Sequence, residues 1–271
     1  MEKIAIYGKG GVGKSVIATS LSAYFGRLGK RVLHVGCDPK HDSAIRLVDG
    51  DKPITTVLDV LAANPNIAST EGILHRGRYA IDCCEAGGPA PGLGCGGRGV
   101  ARTLEFLEEM EVMTRGNYDV VVFDVLGDVV CGGFAAPLRQ GFAEKVLIVI
   151  SEEPMALFAA NNIAKAINTY HENGVALGGF VASLKTPDAD RDMLRRFAAA
   201  LSSTVLAFIP RDQLITKAER EHKTVLEYAP DSPTAREFEA LARTVIALDP
   251  LTLPLPTPLG EEAFFHFLRD E

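Results

Sequence analysis

The sequence lacks the features that mark secreted, membrane-spanning or nucleic-acid-binding proteins. Its 271 residues carry a formal net charge of -7, which argues against nucleic acid as a main partner because phosphate binding relies on clustered Lys and Arg. No apolar run reaches the roughly 18 residues needed to span a bilayer. The N-terminus enters a strand-like run directly, so we expect no signal peptide. We therefore expect a cytoplasmic protein that binds neither nucleic acid nor membrane.

Segments that separate domains are also lacking. No tract rich in Pro, Gly or Ser divides the chain, and no repeat recurs at a fixed period. Hydrophobic residues make up 47% and charged residues 23%, which is the balance of a soluble globular protein with a sizeable core. The sequence predicts a single domain over residues 1–271, with a proline-rich C-terminal tail at about 250–271. The tail is expected to end in a short helix that packs on the body or on a partner.

The cysteines form no C-x-x-C pair. In a cytosolic chain they indicate core thiols, catalysis or metal binding, and not disulfides. Cys37, Cys83 and Cys84 end apolar runs and are expected to be buried. Cys95 and Cys131 differ, because each is followed by two glycines whose amides could hydrogen-bond to the sulfur atoms of an iron-sulfur cluster. On spacing alone, two cluster ligands and two buried structural thiols both remain open for this pair.

Strand-like runs alternate with helical patterns along most of the chain. The runs are 3–7, 31–36, 79–84, 119–124, 145–151, 177–183 and 204–209. This alternation predicts an α/β fold with a mostly parallel sheet covered by helices on both faces. In such sheets ligands bind at the carboxyl ends of the strands, so the loops after each strand are the places to look for function.

The segment GKGGVGKS lies directly after the first strand-like run and matches the phosphate-binding pattern G-x-x-x-x-G-K-[ST]. Its glycines permit a tight path that turns backbone amides toward phosphate oxygens. The following helix is expected to start near Val12. Lys14 should reach the β and γ phosphates, and the Ser15 hydroxyl should hold Mg²⁺. We therefore predict a P-loop NTPase that binds ATP and Mg²⁺. The expected loop contacts are Gly8, Lys9, Gly10, Gly11, Val12, Gly13, Lys14 and Ser15.

Two later loops place carboxylates at the carboxyl ends of strands. GCDPKHDS contains Asp38 and Asp42, which could order water around Mg²⁺ or act as a base. An Asx turn with a helix cap would explain the same residues. Asp124 ends the apolar run VVVFD and is expected to assist Mg²⁺. Asp128 follows in a loop that could sense the γ-phosphate, as switch loops do.

Six segments, spread in order over roughly residues 3–228, resemble the iron protein of nitrogenase and its relatives. They are GKGGVGKS, GCDPKHDS, GGPAPGLGCGGRGV, FDVLGDVVCGGFA, AANNIAKAI and FIPRD. The resemblance implies a homodimer in which Cys95 and Cys131 of each subunit hold one shared 4Fe-4S cluster. It implies that Lys9 acts on the nucleotide of the partner subunit. It also matches Arg98 to a surface arginine near the cluster that docks on the partner protein and is ADP-ribosylated in some nitrogenase iron proteins.

The same resemblance assigns roles to the nucleotide-site residues. Asp38 and Asp42 fall in a first switch, while Asp124 and Asp128 fall in a second. The expected catalytic residues are Lys9, Lys14, Asp38 and Asp128. A loop near the adenine is matched by Pro210, Arg211, Asp212 and Gln213. Three departures from the family pattern stand out: Ser183 replaces an adenine-contacting Asn, Val16 replaces Thr, and the chain after Asp249 shows no close resemblance.

The implied function is that of an ATP-dependent iron-sulfur reductase component. Hydrolysis of MgATP would drive electrons from reduced ferredoxin or flavodoxin to a larger, heterotetrameric catalytic protein that docks near Arg98. DPKHDS resembles the light-independent protochlorophyllide reductase branch, whereas GCGGRGV resembles the chlorophyllide reductase and nitrogenase branches. This mixture favours the methylthio-alkane reductase branch. Nitrogenase, the tetrapyrrole reductases and the nickel-tetrapyrrole cyclase relative are the alternatives.

Two other classes share parts of this pattern. A positioning ATPase of the MinD/ParA type would need a basic patch or a cationic amphipathic helix, and the C-terminal segment GEEAFFHFLRDE is acidic instead. An iron-sulfur cluster carrier of similar fold would be expected to have a C-x-x-C near its C-terminus, which this sequence lacks. Both classes are therefore less favoured than the reductase.

Overall fold

The computed structural model describes residues 1–49, 54–89, 94–127 and 132–270. Two residues with predicted roles, Asp128 and Cys131, lie outside these ranges. Within them, eight strands form one sheet in the order β3-β4-β2-β5-β1-β6-β7-β8. The strands are β1 Glu2–Tyr7, β2 Val32–Cys37, β3 His75–Arg76, β4 Asp82–Glu85, β5 Val120–Val125, β6 Lys145–Ile150, β7 Ala176–Ser183 and β8 Val205–Ile209. All neighbours pair in parallel except β3 with β4.

Helices cover both faces of this sheet. They are α1 Lys14–Arg27, α2 Val57–Ala63, α3 Gly96–Glu109, α4 Val112–Arg115, α5 Pro154–Tyr170, α6 Arg191–Ala200, α7 Gln213–Arg220, α8 Val225–Tyr228, α9 Pro233–Ala247 and α10 Glu261–Asp270. Ala5 and Tyr7 of β1 join the core under α3, α5, α6 and α10. Ile4 and Ile6 join the core under α1 and α9. Because successive strand residues face opposite sides, β1 is buried on both faces, and the predicted α/β fold class is confirmed.

Two element boundaries differ from the sequence prediction. The strand expected over 79–84 begins only at Asp82, because Tyr79 and Ala80 have positive φ angles of 54° and 56°, which a strand does not permit. The first helix starts at Lys14 and not near Val12. Gly13 precedes it with φ 113°, a conformation that excludes it from the helix. The two-residue strand β3 was not predicted, since it is too short to show a period.

The C-terminal tail packs against α5 and α6. Asn161 of α5 donates to the Leu259 carbonyl at 2.9 Å and accepts from the Leu259 amide at 2.8 Å. Phe264 of α10 is 1% exposed, and its ring centroid lies 5.4 Å from that of Phe158. The expected short helix is therefore present, and it contributes to the core. In the described parts of the chain, no helix combines the length and apolarity needed to cross a membrane.

Candidate nucleotide site and cysteine loop

The phosphate loop crosses the carboxyl end of the sheet between β1 and α1. Gly8 and Gly13 have φ angles of 142° and 113°, which side-chain-bearing residues rarely adopt. A Cβ at Gly8 would also overlap the carbonyl of Val149 in β6. Lys14, which is 8% exposed, folds back over the loop and donates to the Lys9 carbonyl at 3.2 Å. The loop thus presents its amides and the N-terminus of α1 to a common centre, which is the geometry that binds phosphate.

A cavity of about 490 Å³ opens beside this loop, within the range of small-molecule sites. Its walls are the loop residues 9–13, the ends of β7 and β8, and the start of α7. Pro210, Arg211 and Asp212 line it as expected from the sequence. Gln213, the first residue of α7, lines an adjoining pocket with Arg211 instead. The predicted adenine loop therefore lies beside the phosphate loop.

The Asp212 carboxylate is occupied by structural hydrogen bonds. One oxygen accepts from the Leu214 amide at 2.9 Å and caps α7. The other accepts from the Thr234 hydroxyl at the start of α9. Asp212 thereby joins α7, which lines the cavity, to α9.

Two residues beyond the predicted adenine loop also form the site. Lys185 donates to the carbonyls of Gly11 and Val12 at 3.2 and 3.4 Å. Ser183 lines the cavity, and a Cβ at Gly13 would lie 3.0 Å from its hydroxyl oxygen. The sequence had marked Ser183 only as a departure from the family pattern. It gave no signal for Lys185, because a surface lysine after a strand is common.

Asp124 lies at the end of β5 with the properties of an Mg²⁺-assisting carboxylate. It is 2% exposed, and its side chain hydrogen-bonds with Ser15 and Ser43. Burial raises its pKa, while these two hydrogen bonds and nearby Lys14 oppose the rise. Its Oδ1 atom is buried and has no hydrogen-bond partner. A buried carboxylate oxygen without a partner, next to the phosphate-loop serine, fits a water held by Mg²⁺.

The first predicted switch loop follows β2. Asp38 is half-buried and accepts from the Lys40 amide at 2.9 Å, so the Asx turn foreseen as an alternative is present. Asp42 is exposed. Ser43, the next residue, is fully buried and donates to Asp124. The loop is therefore attached to the proposed metal site through Ser43, a residue that the sequence reading did not select.

A further buried carboxyl group, Glu85, lies at the end of β4. Its Oε1 accepts from the Ala44 amide at 2.6 Å, while its Oε2 is buried without a partner. Burial raises the pKa of Glu85 to about 8, and the negative charges of Asp124, Asp42 and Asp38 act in the same direction. Glu85 is thus largely protonated at neutral pH. A Cβ at Gly36 would overlap this carboxyl group, so the glycine makes room for it.

The described cysteines separate into two kinds. Cys37, Cys83 and Cys84 are buried, as predicted, and burial raises the pKa of each thiol. Cys95 is exposed and immediately precedes α3, where the helix dipole favours a thiolate. The alternative of a buried structural thiol is therefore wrong for Cys95. Arg98, one turn into the helix, is also exposed.

Glycines let the cysteine loop pack against the first predicted switch loop and against the segment after Cys131. A Cβ at Gly96 would lie 2.5 Å from the Pro39 ring in the first switch loop. A Cβ at Gly133, two residues after Cys131, would overlap the Gly97 carbonyl. Within the described residues, no group of three or more His, Cys, Asp or Glu side chains is arranged to hold a metal ion. One subunit therefore presents Cys95 at a surface loop that adjoins the segment leading from Cys131.

The strand-loop-helix arrangement, the P-loop and the carboxylate at the end of β5 define a P-loop NTPase fold. A family model described as 4Fe-4S iron sulfur cluster binding proteins, NifH/frxC family, matches residues 2–271. The chain belongs to this family, which confirms the nitrogenase iron protein-like resemblance.

Solved structures share the fold at low sequence identity. The septum site-determining protein MinD of Pyrococcus horikoshii OT3, complexed with Mg-ADP, is 23% identical, with a TM-score of 0.71 over 91% of this chain and 97% of that chain. A ParA family ATPase from Chlorobium tepidum TLS is 15% identical, with a TM-score of 0.68 over 89% of this chain and 98% of that chain. Cobyrinic acid a,c-diamide synthase from Mycobacterium smegmatis, with bound ADP and magnesium, is 20% identical, with a TM-score of 0.65 over 96% of this chain and all of that chain. At such identities the likeness shows the fold alone.

Proposed function

We propose that this protein is the ATP-dependent reductase component of a nitrogenase-like complex. In this role, a homodimer with one bridging 4Fe-4S cluster delivers electrons to a larger catalytic protein and couples the delivery to MgATP hydrolysis. The observation that carries the proposal is the close packing of the Cys95 loop against the first switch loop, at Gly96 and Pro39. A change at the phosphates can reach the cysteine loop through this contact.

At the nucleotide, Lys14 neutralises the terminal phosphates and Ser15 holds Mg²⁺ through its hydroxyl. Asp124 orders the ion's water through its unpartnered Oδ1 atom. Asp38 and Asp128 act at the attacking water and the γ-phosphate, and Asp42 contributes to the same switch. Lys9 crosses to the nucleotide of the partner subunit. Mg-ADP bound to the MinD protein of similar fold supports the choice of nucleotide and ion.

At the cluster, Cys95 and Cys131 from both subunits supply four thiolates, which is the number that a 4Fe-4S cluster takes. The cluster, when bound, serves as a one-electron carrier. The amides of Gly96 and Gly97, the first residues of α3, would donate to sulfur. A twofold axis through this site makes the dimer a condition of cluster binding.

The electron acceptor docks on the cluster face, where exposed Arg98 lies beside Cys95. Reduced ferredoxin or flavodoxin supplies the electrons. The mixed motifs of this sequence favour a methylthio-alkane reductase as the acceptor. A nitrogenase or a (proto)chlorophyllide reductase remains the alternative.

The rival function is that of a MinD/ParA-like positioning ATPase, whose fold this chain shares. A membrane-binding C-terminal helix would need a free apolar face and cationic flanks. In this protein α10 begins with Glu261 and Glu262, and its Phe264 is buried in the core. The reductase is the better-supported function, because the family match and the exposed Cys95 both point to a cluster.

The deciding experiment compares Cys95→Ser with Cys84→Ser, a buried cysteine outside the proposed ligand set. Each protein is purified without oxygen, and its iron, sulfide, visible absorption and oligomeric state are measured. We expect the wild type and Cys84→Ser to be brown dimers, and Cys95→Ser to fold without iron. Full iron content in Cys95→Ser, or a colourless monomeric wild type, would contradict the proposal.

A further inference from the structure

A line of buried hydrogen bonds runs from α1 to the proposed metal site. Ser22 of α1 lies 2.9 Å from His34 Nδ1 in β2. His34 Nε2 lies 2.8 Å from the hydroxyl of Ser43, which donates to Asp124 Oδ2 at 2.5 Å. Ser22, His34 and Ser43 are all 0% exposed. Water therefore cannot reach these side chains to complete their hydrogen bonds. Their polar atoms must hydrogen-bond to one another.

With a neutral His34 ring, one arrangement of protons satisfies every member. Asp124 as a carboxylate can only accept, so Ser43 must donate its proton to it. The Ser43 oxygen can then accept from His34, which requires the proton on Nε2. Nδ1 is left as an acceptor for the Ser22 hydroxyl. The ring is neutral in this arrangement, and burial together with the charge of Arg46 lowers the pKa of His34 to about 3.

This arrangement fixes the Ser43 hydroxyl in one direction. Without a donor at His34 Nε2, the Ser43 oxygen would lose the contact that sets the direction of its hydroxyl. With it, Ser43 holds Oδ2, while Oδ1 stays buried and without a hydrogen-bond partner. Ser43 also ends the first switch loop that begins at Asp38. His34 thus contacts the loop at Ser43 and acts on the carboxylate only through that residue.

We propose that His34 is a positioning residue that acts through Ser43 to orient Asp124 toward Mg²⁺. The inference rests on the proposed nucleotide site, although it does not depend on the cluster or on the electron acceptor. Ser22 is the outer member of the line, and its hydroxyl donates to Nδ1 in the tautomer that donates to Ser43. The expected consequence is that loss of His34 weakens the contribution of Mg²⁺ to nucleotide binding and leaves the nucleotide pocket itself intact.

The test is a double-mutant cycle on the full-length protein with His34→Leu and Ser43→Ala. ADP binding is measured by calorimetry with Mg²⁺ and with EDTA, alongside the ATPase rate. In the wild type, Mg²⁺ should increase the affinity for ADP. In either single variant this increase should be roughly tenfold smaller, which corresponds to the loss of one buried charge-assisted hydrogen bond. Affinity in EDTA should not change. The double variant should be no worse than Ser43→Ala, because His34 acts only through Ser43.

Two controls separate positioning from simple destabilisation. Asn161→Leu removes another buried side chain with two hydrogen bonds, far from the phosphate loop, and should retain the full Mg²⁺ effect. His34→Gln can keep a donor toward Ser43 and should restore most of that effect. Additive losses in the double variant, or an equal loss in Asn161→Leu, would overturn the inference.

A measurement on the wild type keeps the inference testable if His34→Leu does not fold. Nitrogen NMR of protein labelled at histidine, with the His34 signals assigned through His34→Gln, reports which ring nitrogen carries the proton. A neutral ring protonated at Nε2 supports the line of hydrogen bonds, whereas a proton on Nδ1 refutes it. Two outcomes distinguish failure of this inference from failure of the proposed function. If Lys14→Ala retains the wild-type ATPase rate, the proposed nucleotide function is wrong. If Lys14→Ala loses ATPase activity but His34→Leu keeps the wild-type Mg²⁺ dependence of ADP binding, only the positioning role of His34 is wrong.

Discussion

Replacing Glu85 with Gln should make the stability of this protein less sensitive to alkaline pH. The Glu85 carboxyl is 0% exposed, and its pKa rises from 4.5 in the unfolded chain to about 8. Between these values the folded protein holds a proton that the unfolded chain has released. Stability therefore falls as pH increases through this window. The contribution is complete below pH 4.5 and lost above pH 8.

The two pKa values set the size of the effect. A difference of about 3.5 units, at 1.36 kcal/mol per unit, corresponds to a loss on the order of 5 kcal/mol across the whole window. Glutamine resembles the protonated carboxyl and can still accept from the Ala44 amide. Its NH₂ group replaces Oε2, which has no partner, and this costs about 1–3 kcal/mol at every pH. The variant should therefore be less stable than the wild type at pH 5 and more stable at pH 9.

Equilibrium urea unfolding, followed by circular dichroism on nucleotide-free protein at fixed concentration, measures the difference. The series should cover pH 5 to 9 in both proteins. His34 titrates with the opposite sign, because its lowered pKa of about 3 removes stability as pH falls below 6.5. Subtracting the wild-type curve from the variant curve cancels this term. A stability difference that stays constant from pH 5 to 9 would show that Glu85 is ionised in the folded protein, and would refute the reasoning.

The remaining predictions concern the nucleotide, the tail and the cysteine loop. Lys14→Ala should abolish ATP hydrolysis and retain the cluster, as assayed by phosphate release and iron content; undiminished hydrolysis would contradict the P-loop assignment. Phe264→Ala should lower the free energy of unfolding by about 3–5 kcal/mol, whereas Phe265→Ala, at a site 46% exposed, should cost about 1 kcal/mol or less; equal losses would disprove the packing of α10. Gly133→Ala should reduce iron content, and Gly132→Ala, where a Cβ meets nothing within 4 Å, should not; equal iron in both would count against the loop contact.

The P-loop could be predicted from sequence because its geometry is local. Gly8, Gly13, Lys14 and Ser15 lie within one strand-loop-helix unit, so their spacing alone fixes their relative positions. Asp124 was also predictable, because the end of an apolar strand next to the first strand falls at the same edge of the sheet. In each case the backbone pattern determines where the side chain lies.

The partners of Asp124 and Glu85 could not be predicted in this way. They depend on the lateral order of strands that are distant in sequence. In the sheet, Gly36 of β2 pairs with Glu85 of β4 on one side and with Asp124 of β5 on the other. Ser43 reaches Asp124 across 81 positions of sequence. Gly36 inside β2 was an available signal, since a glycine within a strand indicates close approach by another group.

The chain that follows β5 packs closely against the phosphate loop and the end of β1. A Cβ at Gly127 would lie 2.6 Å from the Gly10 amide of the phosphate loop, and Tyr7, just before that loop, donates to the Phe134 carbonyl at 3.0 Å. Gly127 and Phe134 therefore both contact the β1 side of the nucleotide site. Packed interfaces shift between discrete arrangements and do not deform continuously. Under the proposed function, a rearrangement at the γ-phosphate would reach the Cys95 loop through packed contacts of this kind.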